Sequence, residues 1–216
     1  MPDLDPGSNN LDAWEAHYEA GHTPWDHAAA HPMIPILVEE ACLHGRILVP
    51  GCGAGHDVEG LSACGLDALG IDLAPSAITK AEKLYPGSAF EQQDLFKLPD
   101  AFAGTFDTVW EHTCFCAIHP CQRPAYLAAM HRCLKPTGQL VACLYITHGE
   151  EELPGPPYKI PRTRILDIFT ERFVLVEQQI SPFSYDSRRG NELLVVFERR
   201  SPGGVADRLM DYMPPA

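Results

Sequence analysis

The sequence predicts a doubly wound α/β domain: a mostly parallel sheet with helices on both faces, closed by an antiparallel hairpin. Three observations carry this expectation. The apolar run Ile47-Leu48-Val49-Pro50 leads into Gly51-Cys52-Gly53-Ala54-Gly55 and then into a helical pattern. Strand, glycine turn, helix is the opening unit of a nucleotide-binding α/β fold. Short apolar runs then alternate with helical patterns, the mark of repeated βαβ units. The last two runs, Phe173 to Ile180 and Leu193 to Glu198, have no helix between them and so pair antiparallel at the sheet edge.

Taken in order, residues 1–10 are polar, carry Pro2, Pro6 and Gly7, and are expected to be disordered. Leu11 to Ala20 reads as a short helix, with Trp14 and Tyr18 on one face. A turn follows at Gly21 to Asp26 and adds Trp25. These aromatics of the 11–31 segment serve either as a staple onto the core or as a lid over a ligand. Pro32 to Cys42 is a helix, followed by the first strand and glycine turn. Val58 to Cys64 and Ser76 to Leu84 are further helices, the latter with Pro75 at an early helical position. Leu66 to Ile71, Ala89 to Gln93 and Phe106 to Trp110 are the second, third and fourth strands. Pro124 to Leu134 is a helix closed by Lys135-Pro136-Thr137-Gly138, and Gln139 to Ile146 is the fifth strand. Arg164 to Thr170 is the last helix. Residues 11–200 thus form one domain, and residues 201–216 read as a frayed tail.

Composition narrows the partners. A chain of 216 residues, 45% hydrophobic, suits one globular domain with a sizeable core. A net charge of -13 argues against nucleic acid and anionic membranes. No apolar run reaches the length of a membrane span. The eight cysteines lie mostly inside apolar segments, and the N-terminus is not signal-like. They therefore read as buried thiols of a reducing, cytoplasmic compartment. A small-molecule partner is expected, with the protein a monomer or weak dimer.

Ligands of such sheets bind outside the carboxyl ends of the strands. That rule places Gly51, Asp72, Asp94 and His112 along one rim, each at or just after a strand end. Asp72 is placed to accept hydrogen bonds from ribose hydroxyls. The glycine turn fits either a dinucleotide or S-adenosylmethionine. The dinucleotide fingerprint wants glycine where His56 stands, and residues 47–79 hold neither Lys nor Arg to meet a pyrophosphate. Both points favour a nucleoside without phosphates. A metal reading is set aside. His112, Cys114, Cys116, His119 and Cys121 crowd together, but they form no C-x-x-C pair and follow a buried strand.

Read together, Trp14-Glu15-x-x-Tyr18, Thr23-Pro24-Trp25-Asp26, Val49-Pro50-Gly51-Cys52-Gly53, Phe115-Cys116-Ala117-Ile118-His119-Pro120 with Arg123, and Gly155-Pro156-Pro157-Tyr158 resemble the thiopurine S-methyltransferase superfamily. The likeness is to its plant and bacterial thiol and halide methyltransferases in particular. It spans residues 12 to 200. It implies a class I methyltransferase fold, a seven-stranded sheet with an antiparallel last strand, and S-adenosylmethionine as methyl donor. By position it implies a cofactor set of Trp14, Tyr18, Trp25, Gly51, Gly53, Asp72, Leu73, Asp94, Leu95 and His112. Tyr18 stands where relatives have Trp. It implies a substrate pocket of Trp25, Phe115 and Arg123. His112 replaces the Tyr of the thiol and halide enzymes and the Arg of the thiopurine enzymes.

The expected reaction is methyl transfer to a small thiol, selenide or halide, with thiopurine as a further acceptor. His112 and Arg123 are candidates to orient that acceptor or take its proton. Two other readings share the same features. One is a nicotinamide-dependent oxidoreductase on the same glycine turn. The other is a non-catalytic S-adenosylmethionine-binding regulator.

Overall fold

The computed structural model describes residues 10–151 and 153–200. The expected disorder of residues 1–10 (apart from Asn10) and the tail at 201–216 fall outside the described residues. Strands β1 (Arg46–Pro50), β2 (Asp67–Asp72), β3 (Ala89–Gln92), β4 (Phe106–Glu111), β5 (Leu134–Thr147), β6 (Ile160–Pro161), β7 (Phe173–Ile180) and β8 (Glu192–Arg199) form one sheet. Its order is β3-β2-β1-β4-β5-β8-β7, with the short β6 beside the end of β5. Strands β1 to β5 pair parallel. Strand β8 runs antiparallel to both β5 and β7. The seven expected strands are the main path of this sheet, and the two-residue β6 is the addition. It is too short to leave a periodic signal in sequence.

The central strands are apolar on both faces because helices cover both. Leu140 to Leu144 in β5 and Leu193 to Phe197 in β8 are buried, as expected for strands with packed faces. One face packs Tyr126, Leu127 and Met130 of α5 (Arg123–Cys133) and Ile165 and Phe169 of α6 (Ile165–Phe169). The other packs Ile34 and Leu37 of α2 (Ile34–Glu39) and Val58 and Leu61 of α3 (His56–Ala63). Helix α4 (Pro75–Leu84) buries Ala77, Ile78 and Ala81. Helix α1 (Leu11–Glu19) buries none of its residues fully.

The stretch Lys135 to Gly138, expected as a turn, belongs to β5. The pairing of β4 and β5 jumps from Phe106↔Leu134 to Thr108↔Gln139, so the extra residues bulge out of the ladder.

Candidate functional site

The strand order reverses at β1: β2 and β3 build one half of the sheet, β4 and β5 the other. The crevice at that reversal is where open α/β sheets bind ligands. Here it holds a cavity of about 380 Å³, lined from the strand ends of β3, β2, β1, β4 and β5 in turn.

The glycine turn forms the floor. Gly51, Gly53 and Gly55 take positive φ values of 59°, 55° and 82°, open to glycine at little cost. A side chain at Gly51 would strike Cys114 Sγ at 2.7 Å. Asp72 Oδ2 accepts the Gly53 N–H at 2.9 Å and Oδ1 accepts the Ala74 N–H at 3.0 Å. Burial nonetheless pushes its carboxyl above the usual range. Asp94 sits one strand further out, its Oδ1 accepting the Phe96 N–H at 3.0 Å. Leu73, Leu95 and Phe96 supply apolar walls between the two acids.

The N-terminal segment closes the top. Trp14, Tyr18 and Trp25 all line the cavity, and Trp25 Nε1–H donates to Tyr18 Oη at 3.3 Å. Burial, and Asp72 next, push the Tyr18 hydroxyl far above its ordinary value, so it stays protonated. Glu15 accepts from the Ser76 N–H and hydroxyl at the start of α4. Asp26 pairs with Lys80 at 2.7 Å and with His56 Nε2 at 2.9 Å. His56, which breaks the dinucleotide fingerprint, is thus a clasp for this segment, with Tyr85 Oη 2.6 Å from its Nδ1.

The far end of the cavity carries a network that sequence reasoning missed. His112 Nδ1 lies 2.9 Å from Asp57, and its Nε2 lies 3.5 Å from Glu192. Arg188 Nη1 donates to the same Glu192 at 3.2 Å and to Thr113 Oγ1 at 3.2 Å. His31 Nε2 lies 3.1 Å from the other Glu192 oxygen. Burial alone would lower His112, but Asp57 and then Glu192 outweigh it and hold the imidazolium up to about 9. Burial opposes ionisation of Glu192 too, yet His112 and His31 hold it well below the carboxylate range. Asp57 is also depressed, against its burial, by His112 and by the His31 and Trp110 N–H donors. Signals for this network were weak in sequence. Asp57 directly follows the glycine turn and its histidine, while His31 and Glu192 are 161 residues apart.

Among the described residues, His31, His112 and Glu192 are the group with metal-ligand atoms within 4.8 Å of one another. Their hydrogen bonding fits an ion-pair network instead. His31 Nδ1 accepts the Met33 N–H at 3.3 Å, so its Nε2 carries the proton. The Arg188 guanidinium already pairs with Glu192 and stands beside His112, so a metal ion would add a further positive charge at one buried carboxylate. The run at 112–121 forms no such group of three among the described residues.

All ten residues expected around the cofactor line the cavity: Trp14, Tyr18, Trp25, Gly51, Gly53, Asp72, Leu73, Asp94, Leu95 and His112. Arg123 and Phe115 are placed elsewhere. Arg123 is 3% exposed, donates to the Tyr158 carbonyl at 2.9 Å and lies 5.0 Å over the Phe115 ring. Phe115 packs against Tyr126 and Phe169 in the core. In the tight turn at 115–117 side chains fan outward, so Cys114, Ala117 and Ile118 meet the cavity and Phe115 turns inward.

A parallel sheet with an antiparallel penultimate strand, a glycine cradle, a buried acid at the tip of β2 and another after β3 fit a nucleoside without phosphates. Fold and site define a class I S-adenosylmethionine-dependent methyltransferase. The chain belongs to the thiopurine S-methyltransferase family, whose model matches residues 9–199. It is 36% identical to thiocyanate methyltransferase 1 of Brassica oleracea over 84% of this chain and 82% of that protein. It is 35% identical to a probable thiol methyltransferase 2 of Arabidopsis thaliana over 70% of this chain and 69% of that protein. Among solved structures, the fold is shared with Burkholderia thailandensis 1,6-didemethyltoxoflavin-N1-methyltransferase bound to 1,6-didemethyltoxoflavin and S-adenosylhomocysteine. That likeness has a TM-score of 0.73 at 20% identity, covering 93% of each chain. A structure from work on disulfide-to-thioacetal conversion in echinomycin biosynthesis gives 0.75 at 23% identity, covering 93% of this chain and 98% of that one.

Proposed function

We propose that this enzyme methylates a small, soft nucleophile that reaches the site as an anion: a thiolate, selenide, thiocyanate or halide. The observation that carries this reading is the pairing of His112, with Asp57 2.9 Å from Nδ1 and Glu192 3.5 Å from Nε2. With Nδ1 committed to Asp57 and the ring held charged to about 9, it has no free lone pair to take a proton at neutral pH. The pocket thiols are no bases either. Burial pushes Cys52 and Cys114 well above their ordinary values. A hydroxyl acceptor, barely ionised at neutral pH, would need such a base. A thiol ionises near pH ~8.5 and a halide needs no deprotonation at all.

The cofactor roles follow the rim. Asp72 takes the ribose hydroxyls, Asp94 and Leu95 the adenine, and Gly51 and Gly53 let the backbone approach the ligand. Trp14, Tyr18 and Trp25 cover it from above. Leu73 and His112 complete the wall. S-adenosylmethionine, when bound, supplies an electrophilic methyl carbon and leaves as S-adenosylhomocysteine. The acceptor's lone pair becomes the new bond to that carbon, and with an anionic acceptor no proton has to move. The protein's own share is positioning and drying. Tyr145, Tyr185, Ile118, Pro156 and Pro157 present largely apolar surface to the acceptor end, which strips water from a compact anion. Holding both reactants in line adds effective molarity.

Small acceptors are favoured over thiopurines, because His112 stands where the thiopurine branch has Arg. The eight free cysteines support a reducing, cytoplasmic setting. The net charge of -13 supports a small-molecule partner and not nucleic acid, and the chain is read as a monomer or weak dimer. Residues 11–200 act as one domain with the 11–31 segment as its lid. The test is a competition assay with equal thiol, iodide, catechol and thiopurine, its products followed by mass spectrometry. Catechol outpacing every sulfur and halide acceptor overturns the reading. Preference for thiopurine overturns only its last step.

A further inference from the structure

The sheet order sets out the rim as a line: Asp94 after β3, Asp72 on β2, the glycines after β1, His112 after β4, then Tyr145 on β5 and Arg188 just before β8. Asp72 and Asp94 stand toward one end of the cavity, and His112 and Arg188 toward the other, paired with Asp57 and Glu192. At the His112 end Arg188 is only 7% exposed, yet it lines the cavity. Its guanidinium carbon lies 5.1 Å from the centre of the Tyr145 ring. Among the described residues, its hydrogen bonds to Glu192 and Thr113 both leave from Nη1, which leaves the Nε and Nη2 hydrogens for a ligand. Neutralising Glu192 does not require Arg188 alone, since His31 and His112 approach the same carboxylate.

We propose that Arg188, flanked by the Tyr145 ring and the Thr113 hydroxyl, is the anion subsite that seats a singly charged, weakly hydrated acceptor. The inference rests on the soft-nucleophile reading above and names the residue that enforces it. A guanidinium is itself weakly hydrated and planar, which matches anions that shed water readily. Arg188 and the His112 imidazolium face the cavity, and Glu192 lies behind them, fully buried. The corner is therefore polarised toward the ligand. An anion entering the cavity is repelled by Asp72 and Asp94 and drawn to the opposite end. A neutral thioether of similar size gains little from the guanidinium and strips water from its Nε and Nη2 donors without replacing it.

The test is calorimetric titration of thiocyanate into the protein saturated with S-adenosylhomocysteine, for wild type, Arg188→Met and Arg188→Lys. Wild type should bind thiocyanate. Arg188→Met should bind it at least about tenfold more weakly, as for loss of a charge-assisted hydrogen bond. Its affinity for S-adenosylhomocysteine should not change. Arg188→Lys should recover part of the loss. Unchanged thiocyanate binding in a folded Arg188→Met protein overturns the proposal, as does absence of binding in wild type. Should Arg188→Met fail to fold with Glu192 stranded, wild type still decides. Iodide and perchlorate should displace thiocyanate and dimethyl sulfide should not, and equal displacement by dimethyl sulfide overturns the subsite. Wild type that binds thiocyanate but methylates no sulfur, selenium or halide acceptor defeats the functional reading and leaves the subsite standing. Thiocyanate turnover with the same KM in Arg188→Met defeats the subsite and leaves the functional reading.

Discussion

His112, at the tip of β4, donates its Nδ1–H to Asp57, in the first turn of α3, at 2.9 Å. With Glu192 on the other side of the ring, that contact favours the imidazolium at neutral pH. The folded value lies above the ordinary one, so the stabilisation is fully present below about pH 6.5 and is lost as pH rises through about 9. Thiocyanate carries its charge throughout this range. Its methylation should therefore stay level from about pH 6 to 8 and fall as pH rises through about 9. Asp57→Asn removes the largest support, so the alkaline limb should move down by about a unit or more. The kcat/KM profile of both proteins checks this. An alkaline limb that stays in place in the variant sinks the assignment.

Asp72 bridges the glycine turn and the β2–α4 loop, accepting the Gly53 and Ala74 N–H groups. Replacing it with Ala should weaken S-adenosylmethionine binding by about 1–3 kcal/mol, because the ribose donors lose a charged partner. Isothermal titration measures the change, and an unaltered dissociation constant would rule out the ribose role.

Glu111 lies fully buried beneath the rim, accepting from the Phe115 N–H at 2.8 Å and from the Tyr126 hydroxyl. Burial raises its carboxyl from 4.5 to about 7. A raised acid favours folding below its unfolded value, and that contribution is lost as pH rises toward 7. Glu111→Gln keeps an acceptor for Phe115 and carries no charge. The variant should gain stability relative to wild type between about pH 5 and 8, by about 3 kcal/mol in total. Comparing the two proteins cancels the opposite slopes of Asp57 and Glu192. Denaturant melts at several pH values decide it, and a constant difference across that range contradicts the burial argument.

Much of the fold was legible because each core element carries its own periodic signal. Strand β8 is a continuous apolar run, and the absence of a helix before it gave away its antiparallel pairing. The cofactor rim was legible for a related reason: each polar residue there sits at a strand end, and sheet topology aligns strand ends. Arg123 shows where that reasoning stops. It lies near the cavity along the chain, but it opens helix α5, and the direction of that helix aims it at the Tyr158 carbonyl. Arg188 shows the converse. Nothing near it in sequence marks a site, and it reaches the cavity only because β8 runs back against β5, opposite Tyr145. A pairing over such separations is set by the whole sheet, so local patterns do not carry it.

The sequence allows the 11–31 segment to be either staple or lid, and its contacts favour the lid. Helix α1 buries none of its residues fully. Its strongest ties are polar, from Glu15 to Ser76 and from Asp26 to His56 and Lys80. Pairs of this kind near the surface contribute up to ~1 kcal/mol each, too little to hold the core but enough to bias a cover. Its three aromatics meet the cavity and one another, with Trp14 and Trp25 edge to face at 5.5 Å. Deleting residues 1–26 should therefore leave a cooperative thermal transition, because α2, α3 and the sheet keep their packing. The same deletion should abolish methyl transfer and weaken S-adenosylhomocysteine binding. Asp26→Asn is the milder version: it loosens the clasp, so cofactor release should quicken while the melting temperature changes little. Stopped-flow release and a melting curve on both variants separate the roles. Loss of the folded state on deletion would show that the aromatics staple the core.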